Sequence, residues 1–337
     1  MKTNNKHTLT ITQLQTEPSY IINNISITDN YLFYIHNNNI QPRIISFSLS
    51  SHKQIPNNIY EQQDIFSLLS FKTTKSVYIC LGLSNVFKIY SFPECKLIYQ
   101  FQANNNNETN TICFNALTYY IKSIKNRSTA SIFVGDSQGS IVLVYGEELY
   151  WRNKEICIQS PPIGISSLCV EEFNLVICVG FVNGVIEFMK LNDTNVKAIN
   201  SYNNDVVVIS MKTMCVDHIK HVIITGDVIG CIKVYDVVST TQPNNEVNVN
   251  CVFNICSHLR LVTMVNVLDN KILSCGEDGV VVVWEFQLNN NELVVNYYDD
   301  IRIHNNILVG VGVSSLNNKV YTIGYDYKLL YEIIFNK

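Results

Sequence analysis

The chain has 337 residues, of which 47% are hydrophobic and 15% charged, with a formal net charge of −4. That is ample apolar material for a sizeable core, which excludes a disordered chain, and it lacks the clustered basic face that a nucleic-acid footprint needs. The longest apolar run, Leu175 to Met189, is broken by Asn183 and Glu187, and no signal-peptide-like run follows Met1. The expectation is therefore a soluble protein of the cytoplasm or nucleus, without membrane insertion.

In chain order, the first organised stretch is Thr8 to Leu14, where apolar and polar residues alternate as they do along a half-buried strand. From there a period in the 40s takes over. A weak copy, Leu81-Gly82-Leu83-Ser84-Asn85-Val86-Phe87-Lys88-Ile89-Tyr90, comes first. Fuller copies run from Val134, Val179, Thr225 and Cys275, each an apolar run, a Gly-containing turn and a second apolar run. Each reads as a β-hairpin whose turn calls for residues tolerant of positive φ. The anchor glycines Gly82, Gly135, Gly180, Gly226, Gly276 and Gly324 recur roughly every 45–53 residues, the spacing of a propeller blade.

Further apolar runs lie between the hairpins. Ile165 to Val170, Val206 to Met211 and Leu261 to Leu268 are expected as innermost strands. Lys197 to Tyr202 and Glu246 to Ile255 are expected as outer ones, and Asn-rich tracts as loops. Four strands per unit and seven units result, with approximate spans 20–61, 62–108, 109–160, 161–204, 205–256, 257–304 and 305–337. The last unit is one strand short, and Thr8 to Leu14 should supply that strand. The fold expected is all-β: a seven-bladed WD-repeat β-propeller closed by its N-terminal strand, with residues 1–337 as a single domain.

WD blades often hold a buried polar tetrad of His, Ser or Thr, Asp and Trp. The sixth unit offers His258, Ser274, Asp278 and Trp284 in that order. A buried Asp can accept from the His, and the hydroxyl can bridge the His to the indole N–H. A hydrolase triad of His258, Ser274 and Asp278 is the competing reading. It lacks a GxSxG elbow, and the tetrad explains every member. The fifth unit has Thr225 and Tyr235 at the hydroxyl and aromatic positions but Ile229 in place of the Asp, and the third and fourth have Val144 and Met189 at the aromatic position.

Ser257-His258, Lys271 to Asp278, Val283-Trp284-Glu285 and Thr322 to Asp326 resemble the WD repeat-containing protein 54 family, specifically over residues 256–327. Elsewhere the likeness is to WD repeats in general. The resemblance implies one propeller, no established chemistry and an interaction role.

No P-loop, dinucleotide fingerprint or HExxH motif is present. His218 and His221 read as part of a solvated turn, and Glu171-Glu172 as a pair pointing to opposite faces, so neither suggests a metal site or an acid/base couple. None of the 11 cysteines forms a CxxC pair, and a disulfide framework is not expected in a chain this long without a secretion signal. The inner strands look apolar and Cys-rich, which argues against polar groups converging on a central channel.

These features point to a non-catalytic protein–protein interaction scaffold that needs no cofactor or metal. The alternatives are an accessory subunit of an enzyme complex or, with less support, a propeller hydrolase. The residues after the anchor glycines, Asp136, Phe181, Asp227, Glu277 and Tyr325 with Asp326 behind it, are expected on the rim where the chain enters the inner strands. Turn chemistry alone explains the Asp residues. The sharper expectation is an acidic rim with aromatic anchors that docks basic segments of other proteins.

Overall fold

In the computed structural model, the chain forms seven four-stranded antiparallel sheets and, among the described residues, no helix. The description covers all residues except 1–5, 38–39, 104–110, 125–126, 148–149, 157–162, 173–174, 193–194, 217–220, 240–246, 290–291, 304–306, 315, 326–327 and 336–337. Blade one spans residues 26–60, blade two 65–102, blade three 114–156, blade four 165–203, blade five 208–256 and blade six 262–302. Blade seven takes three strands from residues 308–335 and its outer strand, His7–Gln13, from the other end of the chain. His7 pairs with Phe335 and Gln13 with Leu329, so the alternating N-terminal stretch closes the ring as its pattern requires.

Within blades one to six the four strands follow one another in sequence order, from the strand at the central channel outward, and in blade seven the first three do. The core lies between blades rather than inside any one of them. Phe133 of blade three packs with Ile165, Leu168 and Ile177 of blade four. Leu32, Tyr34 and Phe47 of blade one pack with Val309, Tyr321 and Ile323 of blade seven. One face of a sheet cannot be buried until its neighbour is present, and seven repeats satisfy this in a circle.

The recurrent glycines have two separate jobs. Turn glycines Gly139, Gly184, Gly230 and Gly279 have positive φ, between 76° and 92°, and carry the tight turn between a blade's second and third strands. The anchor glycines stand a few residues earlier, in the second strand, and answer to proximity. A Cβ at Gly135 would come within 2.7 Å of Leu168, and one at Gly226 within 2.5 Å of Val262, on the inner strand of the next blade.

One finding departs from the cysteine expectation. Cys231 and Cys256 face each other across the third and outer strands of blade five and are joined in a disulfide. Their register, fixed by the hairpin, places the two sulfurs together despite 25 residues of separation.

The anchor-glycine contact makes a measurable claim. Gly226→Ala should cost about 1–3 kcal/mol of unfolding free energy, because the added methyl overpacks a junction in which Val262 is fully buried. Urea denaturation that finds the variant as stable as the wild type would show that blades five and six are not in close contact there.

Candidate functional site

Blade six holds the polar cluster. His258 sits in the loop before the inner strand, Ser274 in the second strand and Asp278 in the following turn. His258 Nδ1 lies 3.0 Å from Asp278 Oδ1, and His258 Nε2 lies 2.8 Å from Ser274 Oγ. Asp278 also accepts the Leu259 N–H at 3.0 Å and the Val280 N–H at 3.2 Å. The carboxylate thus ties the loop before the blade to the turn inside it. Burial pushes the Asp278 carboxyl up, but the His258 hydrogen bond and charge and the two backbone N–H groups outweigh it and hold it below the usual range.

Trp284 departs from the expected bridge. Its ring packs edge-on against Phe253 at 5.4 Å and Tyr297 at 5.7 Å. The indole N–H is buried and meets no hydrogen-bond partner among the described residues. Ser274 instead lies within 3.5 Å of the Val282 carbonyl. The cluster is therefore a triad, with Trp284 outside its hydrogen bonds. Ser274 is fully buried and His258 nearly so, which leaves no path for a substrate carbonyl to the hydroxyl, contrary to what a hydrolase triad requires.

The loops and turns expected on one rim do meet there. The Val182 N–H donates to the Gly164 carbonyl, Val228 to Val207, Glu277 to Leu261 and Tyr325 to Ile307, each joining a blade's turn to the loop that enters the same blade. The side chains correct the expectation of an acidic rim. Asp136, Asp227 and Phe181 are buried. Asp136 Oδ1 accepts the N–H groups of Gln138 and Ser140, and Asp227 Oδ1 those of Ile229 and Cys231. Both acids are turned inward to cap their turns, as short acidic side chains do. Burial pushes the Asp136 carboxyl up in spite of those backbone donors. Glu277 is half-buried and accepts from the Tyr20 hydroxyl, and Tyr20 stacks edge-on with exposed Tyr325 at 5.6 Å. Asp326 lies outside the described residues.

The rim also exposes apolar side chains. Val182 projects from the turn of blade four, Val228 and Ile229 from that of blade five, and Tyr325 from that of blade seven. Leu259, 87% exposed, stands in the loop between blades five and six. Sequence reasoning noted Ile229 only as a missing Asp. The signal was its place at the tip of a turn, where a large aliphatic side chain has nothing to pack against.

The central channel is a second correction. It encloses about 470 Å³ and is lined by Ser, Thr and Asn side chains from most blades as well as by apolar ones. Part of each inner strand packs between the blades, and the residues left facing the channel include polar ones as well as apolar ones. His221 is not in a solvated turn: it opens the second strand of blade five, buried, with Nδ1 3.0 Å from Glu171 Oε1. His218 lies outside the described residues. No group of three or more His, Cys, Asp or Glu that could hold a metal occurs among the described residues.

Compared by sequence, the chain matches no family model and no curated protein. By structure it matches 1436 solved chains, a breadth that identifies an architecture rather than a role. One is a chain from "Crystal Structure of Mitotic Checkpoint Complex", with a TM-score of 0.70 at 12% identity over 97% of this chain and 91% of that one. The fold is that of a seven-bladed β-propeller.

The depressed pKa of Asp278 sets the sign of a pH effect. Its stabilisation is present above the unfolded value of about 3.9 and is lost as pH falls through the lower folded value. Asp278→Ala should cost about 1–3 kcal/mol at neutral pH, by leaving the His258 and backbone donors unpaired. The gap to wild type should narrow as pH drops below about 4. Thermal unfolding that shows the same gap at both ends of that range would contradict the ion-paired role.

Proposed function

We propose that this propeller is a non-catalytic scaffold whose turn-bearing rim docks other proteins. The observation that carries the reading is the row of exposed apolar side chains over blades four to seven, Val182, Val228, Ile229, Leu259 and Tyr325. Single exposed apolar residues are ordinary, but several on one rim, at the turns of blades four, five and seven and in the loop entering blade six, mark an interaction surface. The backbone hydrogen bonds between turns and entry loops hold these tips in place, which limits the entropy lost on docking.

The row changes the partner expected. Of the three acids that motivated a basic partner, Asp136 and Asp227 are committed to their turns, so the apolar side chains carry the affinity and Glu277 with Tyr20 forms a polar margin. Membership of a larger assembly fits the same surface, and the structural neighbour is itself a chain from a complex. The likeness of residues 256–327 to the WD repeat-containing protein 54 family belongs to this proposal, as do a cytoplasmic location and a single domain. It rests on residues of blades six and seven. No helix of the described chain is long and apolar enough to cross a membrane.

Ile229→Asp with Leu259→Asp should abolish retention of stoichiometric partners in mild affinity purification while leaving the melting temperature near wild type. Both side chains are solvated, and surface changes of this kind shift stability by only about 0.5 kcal/mol. Tyr150→Asp, at an equally exposed site on an outer strand, should retain the partners. Retention by the folded double variant would move the interface off this rim.

A further inference from the structure

The two sides of the channel wall differ. Between blades one and two, Ser26 and Thr28 bond to Ser70, with hydroxyl oxygens 2.8 and 2.6 Å apart. The wall on that side is apolar, with Ile27, Leu69, Val267 and Val313. Blades three to five present Asn115, Thr118, Tyr119, Glu172 and Lys212 on the other side. Lys212 is the cation of this wall, and its side chain is exposed to the channel. Desolvation by the surrounding blades lowers its pKa, while Cys169 and Glu172 act in the opposite direction.

Asn23, with a left-handed φ of 58°, reaches across one end of the channel from the entry to blade one. Its Nδ2 donates to the Ile209 carbonyl at 3.1 Å, its Oδ1 accepts from Ser210 Oγ at 2.8 Å, and its N–H donates to the Thr263 carbonyl at 3.2 Å. Blades five and six are thereby tied to blade one at this end.

We infer that the channel is a binding site for a small organic monoanion, its carboxylate on Lys212 and its apolar body against Ile27, Leu69 and Val267. A volume of about 470 Å³ falls in the range of small-molecule sites, which are largely apolar with a few convergent polar groups. An ammonium group on the channel wall offers a charged donor to an anionic acceptor. Thr118 and Asn115 of blade three line the same channel with hydroxyl and amide groups that suit a carboxylate's remaining lone pairs. Glu172, close enough to act on Lys212, disfavours any ligand with a second negative charge. This inference does not depend on the scaffold reading.

Hexanoate and its uncharged analogue hexanamide are suitable probes, read by methyl NMR on the full chain. Hexanoate should give saturable shifts of the Ile27, Leu69 and Val267 methyl signals, and hexanamide should bind about tenfold or more weakly, a difference of about 1.4 kcal/mol. Lys212→Met should remove that preference, and Lys212→Gln serves the same purpose if the thioether repacks the channel. Absence of saturable hexanoate shifts at those methyls in the wild type would overturn the inference. Equal affinity of the two probes for the wild type, or undiminished hexanoate affinity in a folded Lys212 variant, would do so as well.

Discussion

Each blade buries its face against the inner strand of the next, so no blade is complete until the two ends of the chain have met. The pairing of His7–Gln13 with Leu329–Phe335 meets that requirement. It brings together residues more than 300 positions apart, at a cost in loop-closure entropy that grows only slowly with length. Closure also removes the open edge that blade seven would otherwise present. The N-terminal strand is tied on its other side too, since His7 Nδ1 lies 2.8 Å from Asp299 of blade six, and Leu14 is buried in the core shared by blades seven and one.

Once the ring is fixed, the polar residues sort by what the backbone demands of them. Asp136 and Asp227 serve their turns, Asp278 serves both a turn and a histidine, and Asn23 ties blades five and six to the entry of blade one. Buried polar groups are tolerable only when paired, and these pairings fix the loops that frame the rim. The side chains left over fall into two sets. Aliphatic and aromatic tips project from the rim, and a polar wall with one lysine faces the channel. The two proposals concern these two sets, and they are independent because the sets lie on different surfaces.

Much of this was legible in the sequence because it follows from periodicity. The alternation in Thr8 to Leu14, the spacing of the glycines and the runs Ile165 to Val170 and Leu261 to Leu268 each report a strand or a turn, and the blades fall within the spans they imply. Side-chain direction was less legible. The acid after an anchor glycine looks the same in sequence whether it points to solvent, as expected of Asp227, or back into its own turn, as it does. Glycine identity did not separate Gly226, which answers to Val262, from Gly230, which answers to φ. The inner strands read as apolar because their apolar residues are real, but the channel also sees polar residues, Thr118, Lys212 and Asn266 among them. His221 looked solvated because its partner, Glu171, is 50 residues away on another blade.

Amide hydrogen exchange resolved along the two terminal strands tests the closed ring most directly. The account predicts that amides of residues 7–13 and 329–335 are protected to the same degree as those of the outer strands of the other blades and lose protection together with them in denaturant. Exchange of residues 7–13 at the rate of an unstructured peptide, with the other blades still protected, would contradict it.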